Sequence, residues 1–223
     1  MNGSLKVAIL GGTGDLGSGL ARCWAKAGHA VVLGSRSPEK GEALARALAE
    51  QTGGTVSTAG YVEAVRASDI VVLAVPYGSH EETLRGVAEA LVGKILIDAV
   101  VPLAPPKVSV VKLPAAGSAA VEAQSLLGPG VRVVSAFHNV GAKKLHDGAK
   151  AECDVLVFSD DAEARGLVAD LAGDVATRGL EAGTLANSAA AEALTSVLIW
   201  MNRRYKAVGA GIGITGLPES KPD

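Results

Sequence analysis

The chain has 223 residues, with 21 Lys or Arg against 23 Asp or Glu and a formal net charge of −2. Apolar residues make up 48%, which is enough for a folded core and excludes disorder for most of the chain. The balanced charge and the 3% of aromatic residues argue against nucleic acid as a partner, because such sites need basic surfaces and stacking rings.

Two cysteines, Cys23 and Cys153, are too few for a disulfide framework or a cysteine-rich zinc site, and we expect both to be buried thiols. The histidines show no metal-ligand spacing, so we predict no metal. Apolar runs stay shorter than the roughly 20 residues of a membrane helix, and the first ten residues lack the pattern of an export signal. We therefore expect a cytoplasmic protein with no membrane partner.

Short apolar segments alternate with amphipathic segments over the first two thirds of the chain. Continuous apolar strands that alternate with helices are typical of a parallel sheet covered on both faces. In chain order the pattern predicts strand 6–10, helix 16–27, strand 30–34, helix 37–51, strand 55–57, helix 61–67, strand 70–75, helix 80–91, strand 95–97, helix 118–127 and strand 131–136.

The last third is less regular and predicts a small C-terminal α/β lobe. A strand is expected at 154–158, a helix at 162–171 and a possible edge strand at 177–180. A long apolar helix is expected at 186–205, with Asn187 as its N-cap, and a glycine-rich segment follows it.

The segment 12–17 reads Gly-Thr-Gly-Asp-Leu-Gly and fits G-x-G-x-x-G between the first strand and the first helix. Glycines there allow a tight turn close to a pyrophosphate, and the helix N-terminus supplies N–H donors and the positive end of its dipole. We predict a Rossmann-type, doubly wound fold, and the alternative is an ordinary turn. The predicted binding turn consists of Gly12, Thr13, Gly14, Asp15 and Leu16.

Ser35 and Arg36 follow the second strand, where an NAD site usually has an acid, and Lys40 lies one helical turn beyond. A hydroxyl, a guanidinium and an ammonium would bind a 2′-phosphate that a carboxylate would repel. These residues therefore predict NADP(H) rather than NAD(H), unless the two cations are ordinary surface charges.

Val75-Pro76 follows the fourth strand and Val101-Pro102 follows the fifth. Ligands of open α/β sheets lie at the carboxyl ends of the strands, so Val75 and Val101 are candidates to line the cofactor cleft. Simple termination of the strands by proline is an equal alternative.

No catalytic residue is certain. His138 follows the strand at 131–136 and is either an acid or base or a structural residue that shapes its loop. The sequence shows no convincing set of catalytic acids and bases. This absence favours hydride transfer between two redox cofactors, which needs mainly proximity and orientation. Small residues at 139–142 and 209–214 suit the close placement of two rings.

Four segments together resemble the NADPH-dependent F420 reductases (F420:NADP oxidoreductases), which are small Rossmann enzymes. The segments are 11–17, 34–36, 135–142, and 186–188 with 192–195, and the resemblance extends over about 6–217. It implies NADP(H) as cofactor and coenzyme F420 as co-substrate. The implied reaction is direct hydride transfer between the nicotinamide and the 5-deazaflavin.

The resemblance also implies roles for individual residues. Residues 1–140 would be the NADP-binding Rossmann domain, and 141–223 a small domain that closes the deazaflavin cleft. The implied contacts are Thr13 to Leu16 with the pyrophosphate side, Ser35, Arg36 and Lys40 with the 2′-phosphate, Val75 and Val101 along the cleft, Asn139, Val140 and Ala142 near the nicotinamide, and Ile212 with the deazaflavin.

Two other functions remain open. The protein could reduce another acceptor with NADPH, such as a flavin, a ferric chelate or an imine, or it could be a non-catalytic NADP-binding sensor. In each case the partners are small redox molecules. The helix at 186–205 is too apolar for a bare surface, so it is either part of the core or part of a dimer interface. We expect a homodimer.

Overall fold

Strands and helices alternate along the chain in the computed structural model, which describes residues 3–218. The strands are β1 (Lys6–Leu10), β2 (Ala30–Gly34), β3 (Val56–Ala59), β4 (Ile70–Leu73), β5 (Ile95–Asp98), β6 (Arg132–Ser135), β7 (Ala151–Val157) and β8 (Ala176–Glu181). The helices are α1 (Asp15–Lys26), α2 (Pro38–Thr52), α3 (Tyr61–Arg66), α4 (His80–Leu91), α5 (Ala119–Leu127), α6 (Ala162–Ala172) and α7 (Ser188–Tyr205).

The first six strands form one parallel sheet in the order β3-β2-β1-β4-β5-β6. The order reverses at β1, which lies between β2 and β4, so Leu10 is in register with both Gly34 and Leu73. Two loops therefore separate at the carboxyl end of β1, and ligands of open α/β sheets bind at such a reversal. The predicted Rossmann-type fold is confirmed.

Strands β7 and β8 form a second, two-stranded parallel sheet. The strand predicted near 177–180 is β8, and it pairs with β7 rather than with the large sheet. Phe158, just after β7, exchanges two backbone hydrogen bonds of 2.8 and 3.0 Å with Ser135 at the end of β6. This antiparallel bridge attaches the small lobe beside the edge of the large sheet.

The two parts of the chain share one apolar core. A single cluster of buried side chains includes Val7 and Leu33 of the large sheet together with Val155 and Val168 of the lobe. Trp24 in α1 is fully buried and donates its indole N–H to the Leu171 carbonyl of α6 at 3.0 Å. Helix α1 is thereby fixed to the lobe as well as to the sheet.

Phe137 lies between the two parts and starts the loop that follows β6. Its ring packs edge-to-face on Trp24, with centroids 5.6 Å apart and planes at 82°. Its φ of 70° is unusual for a residue with a large side chain, and such backbone strain persists only where the surroundings enforce it. The packing of the Phe137 ring thus sets the direction in which His138 leaves the sheet.

The predicted bounds of β1, β2 and α4 match the structure residue for residue. Both cysteines are buried free thiols, as predicted. Asn187 stands at the N-cap position of α7, as predicted. A 3-10 turn at Leu185–Asn187 leads directly into the helix, so Asn187 has helical angles and its side chain makes no capping bond. Within residues 3–218, the helices are too short or too polar to span a bilayer.

Candidate active site

The turn between β1 and α1 is pressed tightly against its neighbours. A Cβ atom at Gly11, where φ is +85°, would lie 2.5 Å from the Ala74 carbonyl oxygen, and one at Gly17 would lie 2.5 Å from the Gly11 oxygen. Gly14 is the N-cap of α1 and brings no side chain over the helix end. A phosphate can therefore approach the first N–H groups of α1 directly.

The predicted binding residues of this turn lie on its open side. Thr13, Gly14 and Asp15 are exposed, Leu16 is half-buried, and Gly12 is buried against Leu33. The arrangement separates two tasks, because the buried glycines fit the turn against the sheet while the exposed residues face the cleft.

The loop after β2 presents two cations beside this turn. The Ser35 hydroxyl donates to the Ser37 carbonyl and accepts from the Ser37 N–H, both at 3.1 Å, which shapes the loop. Arg36 and Lys40 are exposed, and within residues 3–218 neither belongs to a salt bridge. Both are thus available to a phosphate.

Arg36 also borders a cavity of about 180 Å³ between the ends of β2 and β4. Val75 and Pro76 form part of the same wall. Val75 is nearly buried, and its Cγ1 would lie 3.2 Å from a Cβ placed on Gly11. The structure therefore places Val75 between the phosphate turn and the cavity, while Val101 is half-buried in the loop after β5.

A buried ion pair joins the loops after β4 and β5. His80 Nε2 lies 2.7 Å from Asp98 Oδ2, and Asp98 Oδ1 accepts the Val100 N–H at 3.0 Å. Burial opposes the charge of His80, but the hydrogen bond and charge of Asp98 outweigh it and raise the pKa of His80. The pair fixes the backbone leading to Val101. Sequence reasoning found no partner for Asp98 and treated His80 only as the start of a helix.

His138 is buried in the loop after β6. Its Nε2 lies 3.4 Å from the Ser135 hydroxyl, while its Nδ1 has no hydrogen-bond partner within the described residues 3–218. Burial lowers the pKa of His138 to about 4, so the ring is neutral near pH 7. The charge and the backbone of Asp98 oppose this effect but do not outweigh it.

Helix α7 holds this loop through three hydrogen bonds to its polar groups, one of them between the Asn139 amide and the Thr195 hydroxyl at 3.2 Å. The Asn139 side-chain N–H donates to the Ala191 carbonyl at 2.9 Å, and the Thr195 hydroxyl donates to the His138 carbonyl at 3.0 Å. The Asn139 amide nitrogen is therefore directed towards α7. The backbone of 139–142, with the nearly buried Val140 and the half-buried Ala142, remains beside the cleft.

The structure brings together the two stretches of small residues that the sequence singled out. A Cβ at Gly141 would lie 2.5 Å from the Gly209 Cα, so the two backbones are in direct contact. Gly211 packs on Cys153 and lies close to the Asn139 carbonyl. The segment 209–214, which contains the half-buried Ile212, therefore covers the loop after His138.

Glu192 is a buried residue of the site to which sequence reasoning gave no role. Its carboxylate accepts the N–H groups of Ala119 and Ala120, at 2.8 and 3.2 Å, at the start of α5. Burial raises its pKa to about 8 despite these bonds, and the nearby charge of Asp98 adds to the effect. The sequence feature that could have indicated this role is a single acidic residue among small and apolar residues in the first turns of a helix.

These features define a cleft at the carboxyl edge of the sheet. It contains a glycine turn, two free cations, a loop with one unsatisfied ring nitrogen, and a backbone segment that covers this loop. The residues fit a dinucleotide that bears an additional phosphate. Within residues 3–218, His, Cys, Asp and Glu nowhere gather in groups of three suited to a metal ion.

Comparisons with known proteins agree with this geometry. Residues 6–102 match the family described as NADP oxidoreductase, coenzyme F420-dependent. The F420-dependent NADP reductase of Methanothermobacter marburgensis is 38% identical to this chain over 96% of its length and 100% of its own. The reductase of the same name from Methanocaldococcus jannaschii is 39% identical over 96% of this chain and 99% of its own.

A solved structure supports the same assignment. The crystal structure described as an F420-dependent NADP reductase from Arthrobacter sp. FB24 superposes with a TM-score of 0.79 at 26% identity, over 96% of this chain and all of that one. Identity near 38% over almost the whole length also confirms the resemblance drawn from the four motif segments. The chain therefore belongs to the family of F420-dependent NADP reductases, oxidoreductases that use NADP(H) and coenzyme F420.

Proposed function

We propose that this chain transfers a hydride directly between nicotinamide C4 of NADP(H) and C5 of the 5-deazaflavin of F420. The observation that carries the proposal is the backbone contact between Gly141 and Gly209 at the carboxyl edge of the sheet. It joins the loop at the nicotinamide end of the cleft to the segment with Ile212. Such a junction can hold two rings at the roughly 3–3.5 Å that hydride transfer needs.

The residues of the NADP side have separate roles in this proposal. Thr13 to Leu16 bind the pyrophosphate at the N-terminus of α1. Ser35, Arg36 and Lys40 bind the 2′-phosphate, and the cavity of about 180 Å³ beside Arg36 takes the adenosine end. Val75 and Val101 form the apolar walls that exclude water. Gly12 and Gly14 contribute backbone only.

The acceptor side depends on backbone and small side chains. Residues Asn139, Val140 and Ala142 support the nicotinamide, and Ile212 packs on the deazaflavin. His138 is neutral and shapes the loop beside the nicotinamide through its contact with Ser135 rather than donating a proton. Residues 141–223 act as the part that closes the deazaflavin cleft, and the last five lie outside the described residues. The cytoplasmic location stays a prediction.

The protein is further proposed to be a homodimer. Helix α7 exposes Val197, Trp200, Met201 and Tyr205. Residues three or four positions apart lie on the same side of a helix, so these four side chains form one exposed stripe. The loop with the exposed Val110 lies beside this helix, joined by the Ser196 hydroxyl bond to the Val110 carbonyl. An exposed apolar patch of this kind is typical of an interface with a second copy.

Mixing the protein with NADPH and oxidised F420 tests the proposed reaction. We expect rapid loss of the deazaflavin absorbance with NADPH and little with NADH, because Arg36 and Lys40 favour a 2′-phosphate. FMN and a ferric chelate in parallel cuvettes test the other acceptors. If the protein binds NADPH tightly but does not reduce F420, the proposed dinucleotide site would be supported and F420 would be excluded as the acceptor.

Arg36→Glu should raise the KM for NADPH by about 100-fold and leave that for NADH within about threefold. A charge-assisted bond to phosphate contributes about 1.5–3 kcal/mol, and the new carboxylate adds repulsion. Arg46→Glu makes the same change of charge on the exposed side of α2 and serves as the control. Equal effects on both cofactors would show that Arg36 does not bind the 2′-phosphate.

The pH dependence of the reaction tests the neutral role of His138. Because its pKa of about 4 keeps the ring uncharged above about pH 5, His138 should contribute no titration to kcat between pH 5 and 9. His138→Ala should lower kcat by about 3- to 10-fold through loss of one hydrogen bond. If the pH profile of kcat has an inflection near pH 6.5 that disappears in His138→Gln, then His138 is a titrating acid or base.

Light scattering coupled to size exclusion tests the homodimer. The wild-type protein should elute at twice the chain mass of 22.3 kDa, and Trp200→Glu should shift it towards the monomer because a buried charge opposes association. Val92→Glu, which changes an exposed valine just after α4, is the control and should remain dimeric. A monomeric wild-type protein at micromolar concentration would exclude the proposal.

A further inference from the structure

The segment after α7 is long, mostly exposed and held at a few points. Lys206 ends α7 in the left-handed conformation, and the Ala210 N–H then donates to the Asn202 side chain at 2.9 Å. Residues 213–218 are all exposed, so side-chain burial contributes little to their position. Other contacts must therefore fix Ile212 over the loop at 139–142.

Asp154 of β7 supplies two of these contacts. Its backbone N–H donates to the Ile212 carbonyl at 2.8 Å, and its Oδ2 accepts the Ile214 N–H at 2.7 Å. The two bonds lie on either side of Gly213 and fix the backbone directly after Ile212. Asp154 itself is only 2% exposed, so its carboxylate has little water to stabilise its charge.

Arg178 of β8 completes the arrangement. Its Nε and Nη2 donate to the two carboxylate oxygens of Asp154 at 2.9 and 2.6 Å, which is a two-point pair. Nη2 also donates to the Ile214 carbonyl at 2.9 Å. The hydrogen bond and charge of Arg178 lower the pKa of Asp154, so the carboxylate stays ionised at neutral pH.

A buried carboxylate is unfavourable unless its oxygens are hydrogen-bonded. Here Arg178 and the Ile214 N–H together give Asp154 three such bonds. The Asp154 backbone N–H and the Arg178 side chain also donate to carbonyls of the glycine-rich segment. Both side chains therefore make bonds to this segment that β7 and β8 do not need for their own pairing, which their backbones supply.

We propose that Asp154 and Arg178 are positioning residues that hold Ile212 on the acceptor side of the cleft and so determine the affinity for the deazaflavin. The inference rests on the proposed function, in which Ile212 contacts that ring. Neither residue touches NADP in the proposal, so the effect should be confined to one substrate.

Kinetics with both substrates distinguish positioning from general stability. Asp154→Asn keeps the size of the side chain but removes its charge, and we expect the KM for F420 to rise about tenfold while the KM for NADPH stays within twofold. Arg178→Lys keeps the charge and should show a smaller rise than Arg178→Leu. Glu181→Gln breaks the 3.0 Å Arg165–Glu181 pair in the same lobe and should change neither KM.

Hydrogen exchange measured on the full chain provides a readout independent of activity. Asp154→Asn should accelerate exchange of peptides covering 210–216, and Glu181→Gln should not. Unchanged exchange, an unchanged KM for F420, or equal rises in both KM values would each overturn the inference. A wild-type protein that reduces no F420 would instead overturn the proposed function, and unchanged exchange in Asp154→Asn would then still overturn the anchoring role.

Discussion

Helix α7 has to bury polar groups where water cannot satisfy them, and this constraint determines the geometry of the cleft. Ser188 and Glu192 are essentially inaccessible, and they bond to the Ser118 hydroxyl and to the first N–H groups of α5. Each such group would cost about 1–3 kcal/mol if left unpaired. A helix rotated or shifted by one residue would lose all of these bonds together. The bonds to His138 and Asn139 are made by the same turns of α7, so the position of the loop follows from the position of the helix.

The two sides of the cleft are therefore built in different ways. The NADP side comes from neighbours in sequence: a glycine turn between β1 and α1, and cations directly after β2. The acceptor side depends on contacts between residues far apart in the chain, such as Gly141 with Gly209 and Asp154 with Ile214. The glycine turn is formed by one short stretch of the chain. The acceptor side instead requires the lobe, α7 and the last segment to be packed correctly at the same time.

This difference explains what the sequence could predict. Periodicity located β1, β2 and α4 to the residue, because their apolar patterns reflect burial on the sheet. It could not find the partner of Asp98, since His80 lies 18 positions away and only the fold brings the two together. The role of Glu192 required knowing that α5 begins opposite it. The sequence also located the N-cap position at Asn187 but could not show that its side chain makes no capping bond, because the 3-10 turn before α7 depends on the fold.

The buried charges near the cleft are compensated in place, which bears on the chemistry. Asp98 faces His80, and burial keeps the ring of His138 neutral. Glu192, whose pKa is about 8, is bonded to the first N–H groups of α5 rather than to the loop after β6. Hydride transfer moves two electrons and a proton as one particle, so it needs fixed distances more than a proton donor with a matched pKa. Side chains that were free to change charge beside the rings would shift the relative stability of oxidised and reduced cofactors with pH. A cleft with compensated charges and glycine backbone contacts instead keeps the distance between the rings as the main variable under control of the protein.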